Sequence, residues 1–210
     1  MNNTRVTKLR ILEYARERFL GEGFTAVSMD DIAEGLGMSK KTFYKYFVSK
    51  DDLLRQIADR MMAEARLNIS RLFQSDLQSL EKIDRFSLLL GQHGARVSKT
   101  LVRDVQRSAP DLWQRIQRFR EERIQQAFTL LYDQGVREGT FRRDVNRRIF
   151  LLSYLAAVNS VITPAVILAE PFSLQEAVRD IVSIFFRGVL TEEGRGRMRE
   201  LEKSKPSHQR

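Results

Sequence analysis

The sequence has 210 residues, 42% of them hydrophobic and 30% charged, which is enough apolar material for one large or two small domains and excludes a disordered chain. It has no cysteine and two histidines, His93 and His208, so disulfides, thiolate chemistry, sulfur-bound zinc and a multi-histidine metal site within one chain are excluded, and no cofactor is expected. The net charge of +9 favours an anionic partner, but it is spread almost evenly along the chain, so only a local cluster of cations can mark a binding surface.

Four prolines and eleven glycines favour long helices over a turn-rich β protein. Ile11, Ala15 and Phe19 recur at spacing four with Leu12 and Leu20 beside them, and Gly21 and Gly23 end that helix. Ser28 with Asp31 and Ser49 with Asp52 are capping-box patterns, and Ser39 lies between them. New helices are therefore predicted to start near residues 29, 40 and 50. The first two have room for only about two turns each, too short to stand alone in water, so they must pack on each other and on the first helix. Ile32, Ala33 and Leu36 supply one inner face, and Phe43 and Phe47 the other. The link from Gly35 to Ser39 gives the tight, glycine-containing turn of a helix-turn-helix unit. From Lys50 a longer helix leads away through Leu53, Leu54, Ile57 and Met61.

Farther along, Ser108, Pro110 and Asp111 read as a helix start, with Ser108 as the cap. That helix carries Leu112, Ile116, Phe119, Ala127, Phe128 and Leu131 and stops near Gly135, with a second stop at Gly139. An arginine-rich segment, 142–148, precedes an uncharged run from Ile149 to Ala169 that reads as one helix broken at Pro171. The run is close to spanning length, but its Ser153, Tyr154, Asn159, Ser160, Thr163 and Pro164 favour a helix buried on nearly all sides over a membrane span. Ser173 and Glu176 cap a last helix with a stripe of Leu174, Ala177, Val178, Ile181, Val182 and Phe185. The segment after Gly194 is polar and reads as a frayed tail. Met1 to Leu12 is polar and basic, unlike a secretory signal, so a cytoplasmic protein is expected. The expected fold is all-α: a helix-turn-helix domain over 1–50, a larger helical domain over 51–192 and a flexible tail over 193–210.

The densest chemical signal runs from Ser39 to Lys50, where four lysines are uninterrupted by any acid. With Phe43 and Phe47 inward, Lys41, Thr42, Lys45 and Tyr46 lie outward and Lys40 and Tyr44 flank them. Cationic heads, hydroxyls and a threonine methyl suit the phosphates and base edges of a DNA major groove. Alone, the same face reads equally well as a solvated lysine surface. The surrounding order distinguishes the two. Gly21, Gly23 and Phe24 through Ala33, then Leu36 to Ser39, Thr42 to Phe47 and Ser49 to Leu54 closely resemble the DNA-binding domain of the tetracycline-repressor (TetR/AcrR) family over about residues 5–55. Gly35 and Tyr46 stand where alanine and histidine are often found, and Lys41 where a small residue is common, so an operator sequence does not carry over.

The resemblance implies operator contacts by Lys40, Lys41, Thr42, Tyr44, Lys45 and Tyr46, and phosphate contacts by Lys50, by Ser28 and by the backbone near Met29. Ser28 and Ser39 also read simply as helix caps. The rest of the chain resembles the family in plan, a helical ligand-binding and dimerisation domain. Two helices apolar beyond what one subunit covers point the same way, with Leu155, Val158, Ile162, Ile181, Ile184, Phe185 and Val189 as the expected two-fold interface. Phe86, His93, Trp113, Phe128, Tyr132, Tyr154 and Asn159 are the candidates for lining a pocket for a hydrophobic or aromatic effector, though each taken singly reads more readily as ordinary core. The expected function is thus a homodimeric, operator-binding transcriptional regulator, a repressor released by a small molecule. The alternatives are a DNA-binding regulator controlled by a protein partner and, with no nucleophile–base pair, phosphate loop or metal cluster to support it, a helical enzyme.

Overall fold

The computed structural model describes residues 3–203, less the side chains of residues 3 and 92–95. Its helices are, in chain order, α1 (Asn3–Glu22), α2 (Met29–Gly35), α3 (Lys40–Phe43), α4 (Lys50–Gln74), α5 (Ser79–Arg96) and α6 (Lys99–Ser108). There follow α7 (Pro110–Arg137), α8 (Arg147–Val161), α9 (Pro164–Ala169), α10 (Leu174–Gly188) and α11 (Glu192–Lys203). The all-α expectation is met, and the three N-terminal starts fall at Met29, Lys40 and Lys50.

The chain forms two compact units. One joins the residues up to Ala65 to Ala95–Phe119; the other joins Arg66–Gly94 to the residues from Arg120 on. In the first, Ile11, Ala15 and Phe19 of α1 pack with Ile32 and Ala33 of α2, Phe43, Phe47 and Leu53, all buried. Gly23 ends α1 at φ +96°, and a side chain there would collide with Thr100 of α6. The capping box is formed: Ser28 Oγ accepts from the Asp31 amide at 3.0 Å and Asp31 accepts from the Ser28 amide at 2.8 Å. After α2, Gly37 at φ +65° donates to Glu34 O and Met38 to Ala33 O, both at 2.9 Å. These two bonds are a Schellman closure, and they make the tight turn that the glycine predicts. Ser39 caps α3, and overlapping turns carry the chain from Phe43 to Phe47. At Gly35 a Cβ would overlap the Tyr14 hydroxyl, so the glycine makes room for that ring.

The division of the chain differs from the expected 1–50 and 51–192. Leu101 and Val105 of α6 and Leu112 of α7 belong to the N-terminal core, because α6 returns to α1, where the Ser98 amide donates to Leu20 O at 3.0 Å.

The second unit is organised by aromatic rings. Phe128 stands 4.6 Å from Phe150 by ring centroids and also meets Tyr132, Tyr154 and Phe186. An isolated antiparallel bridge joins Phe141 to Leu190, and the Phe141 ring lies where a side chain on Gly135 would stand.

Three expected boundaries are corrected. Ser108 ends α6 rather than capping α7, whose first residue is Pro110. The run 149–169 is two helices, because Pro164 has no amide to continue the ladder and Thr163 caps a new start. Residues 192–203 form α11 instead of a frayed tail. Gly194 is buried against the Thr140 carbonyl, Met198 and Leu201 pack on the second core, and Arg187 pairs with Glu202 at 2.5 Å.

Candidate nucleic-acid interface

The turn after Gly37 and the cap at Ser39 aim α3 so that Phe43 and Phe47 are fully buried, which obliges the residues between them to face outward. Lys40, Lys41, Thr42, Tyr44 and Lys45 are exposed, with Tyr44 at 45%, while Tyr46 is half-buried against the core. The cations are not equivalent. Lys40 Nζ donates to Asp30 Oδ2 at 2.6 Å, and that bond holds its ammonium above the usual lysine range. The face is therefore not free of acid, as the run from Ser39 to Lys50 suggests; Asp30 of α2 reaches it through space. Lys41 and Lys45 have no acidic partner among the described residues. Thr42 Oγ1 lies 2.9 Å from Ser39 Oγ, within the capping arrangement.

At the start of α2, Ser28 is exposed but its hydroxyl serves the cap, and the Met29 side chain is buried, which leaves only backbone there for a partner. Lys50 is half-buried. Its Nζ sits 4.5 Å from the Phe24 ring centroid and donates to Thr25 O at 3.3 Å. Burial pulls its pKa down, opposed by the charges of Asp104 and Asp31. Two side chains that sequence reasoning passed over brace this region from behind or beside it. Buried Asp104 accepts from the Thr25 amide at 2.8 Å and so fixes the loop that Lys50 also holds. Lys8 of α1 lies 5.4 Å from the Phe47 ring. No local pattern announces either, since Asp104 is 79 residues from Thr25.

The expected pocket residues fall in two different cores. Phe128, Tyr132 and Tyr154 are packed in the aromatic core, Phe86 is buried against Phe73, and Trp113 packs in the other unit. Asn159 is satisfied, accepting from Arg120 at 2.9 Å and donating to Glu121 at 2.7 Å; burial pulls Arg120 down to about 10. The His93 side chain lies outside the described residues. A cleft of about 990 Å³ does exist in the second unit, lined by other residues of α5, α10 and α11.

The interface expectation divides. Val158, Ile181 and Val189 are buried within the chain, as members of the second core. Leu155, Ile162 and Phe185 are half-buried, and Ile184 is 69% exposed. Ile149 at 63% and Leu152 at 47% extend the exposed apolar surface of α8, unanticipated from the sequence. No helix among the described residues is long and apolar enough to cross a membrane, and no cluster of His, Asp or Glu among them could hold a metal.

Residues 11–57 match the family described as bacterial regulatory proteins, tetR family. Over 185 residues the chain is 26% identical to the uncharacterized HTH-type transcriptional regulator YvaF of Bacillus subtilis, covering 84% of this chain and 96% of that one. Over 68 residues it is 34% identical to the HTH-type transcriptional regulator EthR of Mycobacterium tuberculosis, 32% of each chain. The crystal structure of a transcriptional regulator from Cytophaga hutchinsonii superimposes with a TM-score of 0.66 at 18% identity, covering 86% of this chain and 97% of that one, a likeness of fold.

Proposed function

We propose a specific way of working for this chain, which belongs to the TetR family of DNA-binding transcriptional regulators and is not an enzyme: a cytoplasmic homodimeric repressor that a small molecule releases from its operator. The observation that carries the reading is the free outer face of the turn from Ser39 to Phe47. There Lys41, Tyr44 and Lys45 stand exposed over two buried phenylalanines. The two lysines meet phosphates or guanine edges, while Thr42, Tyr44 and the rim of Tyr46 contribute hydroxyl and apolar contacts to the groove. Lys40 reaches DNA only by exchanging its bond to Asp30. Lys50, Ser28 and the backbone at Met29 have a supporting place at the phosphates, since the first two are already engaged within the domain.

The dimer forms through α8 and α10, with Ile149, Leu152, Leu155 and Ile184 as its apolar contacts, because the described residues leave these side chains of the two helices exposed or half-buried. A pair of subunits presents two reading segments to successive major grooves, about 34–36 Å apart. An effector that favours a dimer with another spacing lowers operator affinity by the ratio of its affinities for the two states.

The test is a salt series of binding constants on DNA fragments from upstream of the gene and its neighbours. Lys41→Ala and Lys45→Ala should each weaken binding and lower the slope of log K against log salt by about one. Thermal stability should stay unchanged, since both side chains are exposed. An unchanged slope and affinity in both variants contradicts the reading.

A further inference from the structure

The cleft between α5, α10 and α11 has a chemistry of its own. Its floor is apolar, made by Ile83 of α5, Val182 and Phe186 of α10 and Met198 of α11, the first three buried. At about 990 Å³ it is at the upper end of what small-molecule sites need. The charges around its rim are not equivalent. Arg179 is paired with Asp180 at 3.1 Å and Arg187 with Glu202 at 2.5 Å. Asp84, the remaining carboxylate of the lining, has an interaction of its own. Arg199 and Lys203 have no acidic partner among the described residues, and both are exposed. At spacing four on α11 they share one face of the helix, the face toward the cleft. The lining acids are thus engaged, and two cations at one end are left over above an apolar trough.

That distribution selects an occupant. A cation has no free carboxylate to meet, and a neutral apolar molecule leaves the ammonium and guanidinium unanswered. A small hydrophilic anion leaves the floor uncovered. We propose that this cleft binds an amphiphilic carboxylate, its head group between Arg199 and Lys203 and its hydrocarbon body along Ile83, Val182, Phe186 and Met198. This names the ligand class and the site of the effector in the reading above and rests on that reading only for its consequence at the operator; binding itself stands apart.

The experiment is titration calorimetry of the full chain with decanoate, decanol, decyltrimethylammonium and acetate. Decanoate should bind, decanol about tenfold or more weaker for want of the charge-assisted bonds, and the other two not measurably. The double variant R199A/K203A should lose at least about tenfold in decanoate affinity while binding decanol as the parent does. Its melting temperature without ligand should match the parent, because both side chains are exposed and neither has an acidic partner among the described residues. Met198→Asp, which puts a charge on the floor, should abolish binding of both decanoate and decanol. Equal affinity for all four probes, no decanoate binding, or full decanoate affinity in the double variant overturns the proposal. A gel shift with decanoate separates the two readings. Binding without release of DNA leaves the site standing and removes this ligand class as effector, whereas release of DNA by a compound that R199A/K203A binds normally keeps the effector and moves it elsewhere.

Discussion

Residues 39–47 and residues 147–188 face the same question, which side of a short helix turns inward, with opposite material to answer it. In the first, two phenylalanines stand among lysines, hydroxyls and tyrosines, so polarity alone decides: Phe43 and Phe47 go to zero exposure and Lys41 and Lys45 go out. In the second, most side chains are apolar and either orientation buries hydrocarbon. Fit against the aromatic core decides there, sending Val158 and Ile181 inward and leaving Ile149, Leu152 and Ile184 out. The first surface is left cationic and polar, the second apolar.

The contrast can be broken at its strongest point by Phe43→Ala. Emptying a fully buried ring site should cost about 3–5 kcal/mol in urea unfolding and abolish DNA binding with the N-terminal unit. A loss under about 1 kcal/mol would mean that polarity does not organise that turn. In the apolar region the sharper comparison is between neighbours on one helix. Ile181→Ala should cost about 2–5 kcal/mol, since the side chain is core, whereas Ile184→Ala should stay within about 0.5 kcal/mol for the monomer and show instead as a weaker dimer in sedimentation. Equal costs at the two positions would erase the inward and outward assignment. The smallest effect is expected at Asp30→Asn. Removing the carboxylate frees Lys40 for phosphate and should tighten DNA binding a few-fold at low salt, with the gain fading as salt rises.

Legibility follows the same divide. Helix starts at Met29, Lys40 and Leu174 could be read because a serine cap and, at two of them, an acid three residues on are local chemistry. The break before Pro164 was present as Thr163 and Pro164, but the apolar run around them carries no change of period to mark it. α11 looks like a tail by composition; what orders it is distant, a glycine against the Thr140 carbonyl and Arg187 reaching Glu202. The exposed lysines of residues 39–47 were visible in the sequence, whereas Asp30's hold on Lys40 and Asp104's on Thr25 were not, because both act through space. The candidate pocket residues show a related ambiguity. An aromatic ring is equally suited to line a cavity or to fill one, and only packing tells which.

The central claim is that two copies of the turn from Ser39 to Phe47 are presented to one duplex, and hydroxyl-radical footprinting of the protein on the fragments it retains at physiological salt tests it most directly. Protection should fall in two symmetry-related half-sites, centred about 34–36 Å apart or a multiple of that, and should vanish from both together in the Lys41→Ala, Lys45→Ala double variant. A single unsymmetrical footprint, or one that survives loss of both lysines, would contradict the account.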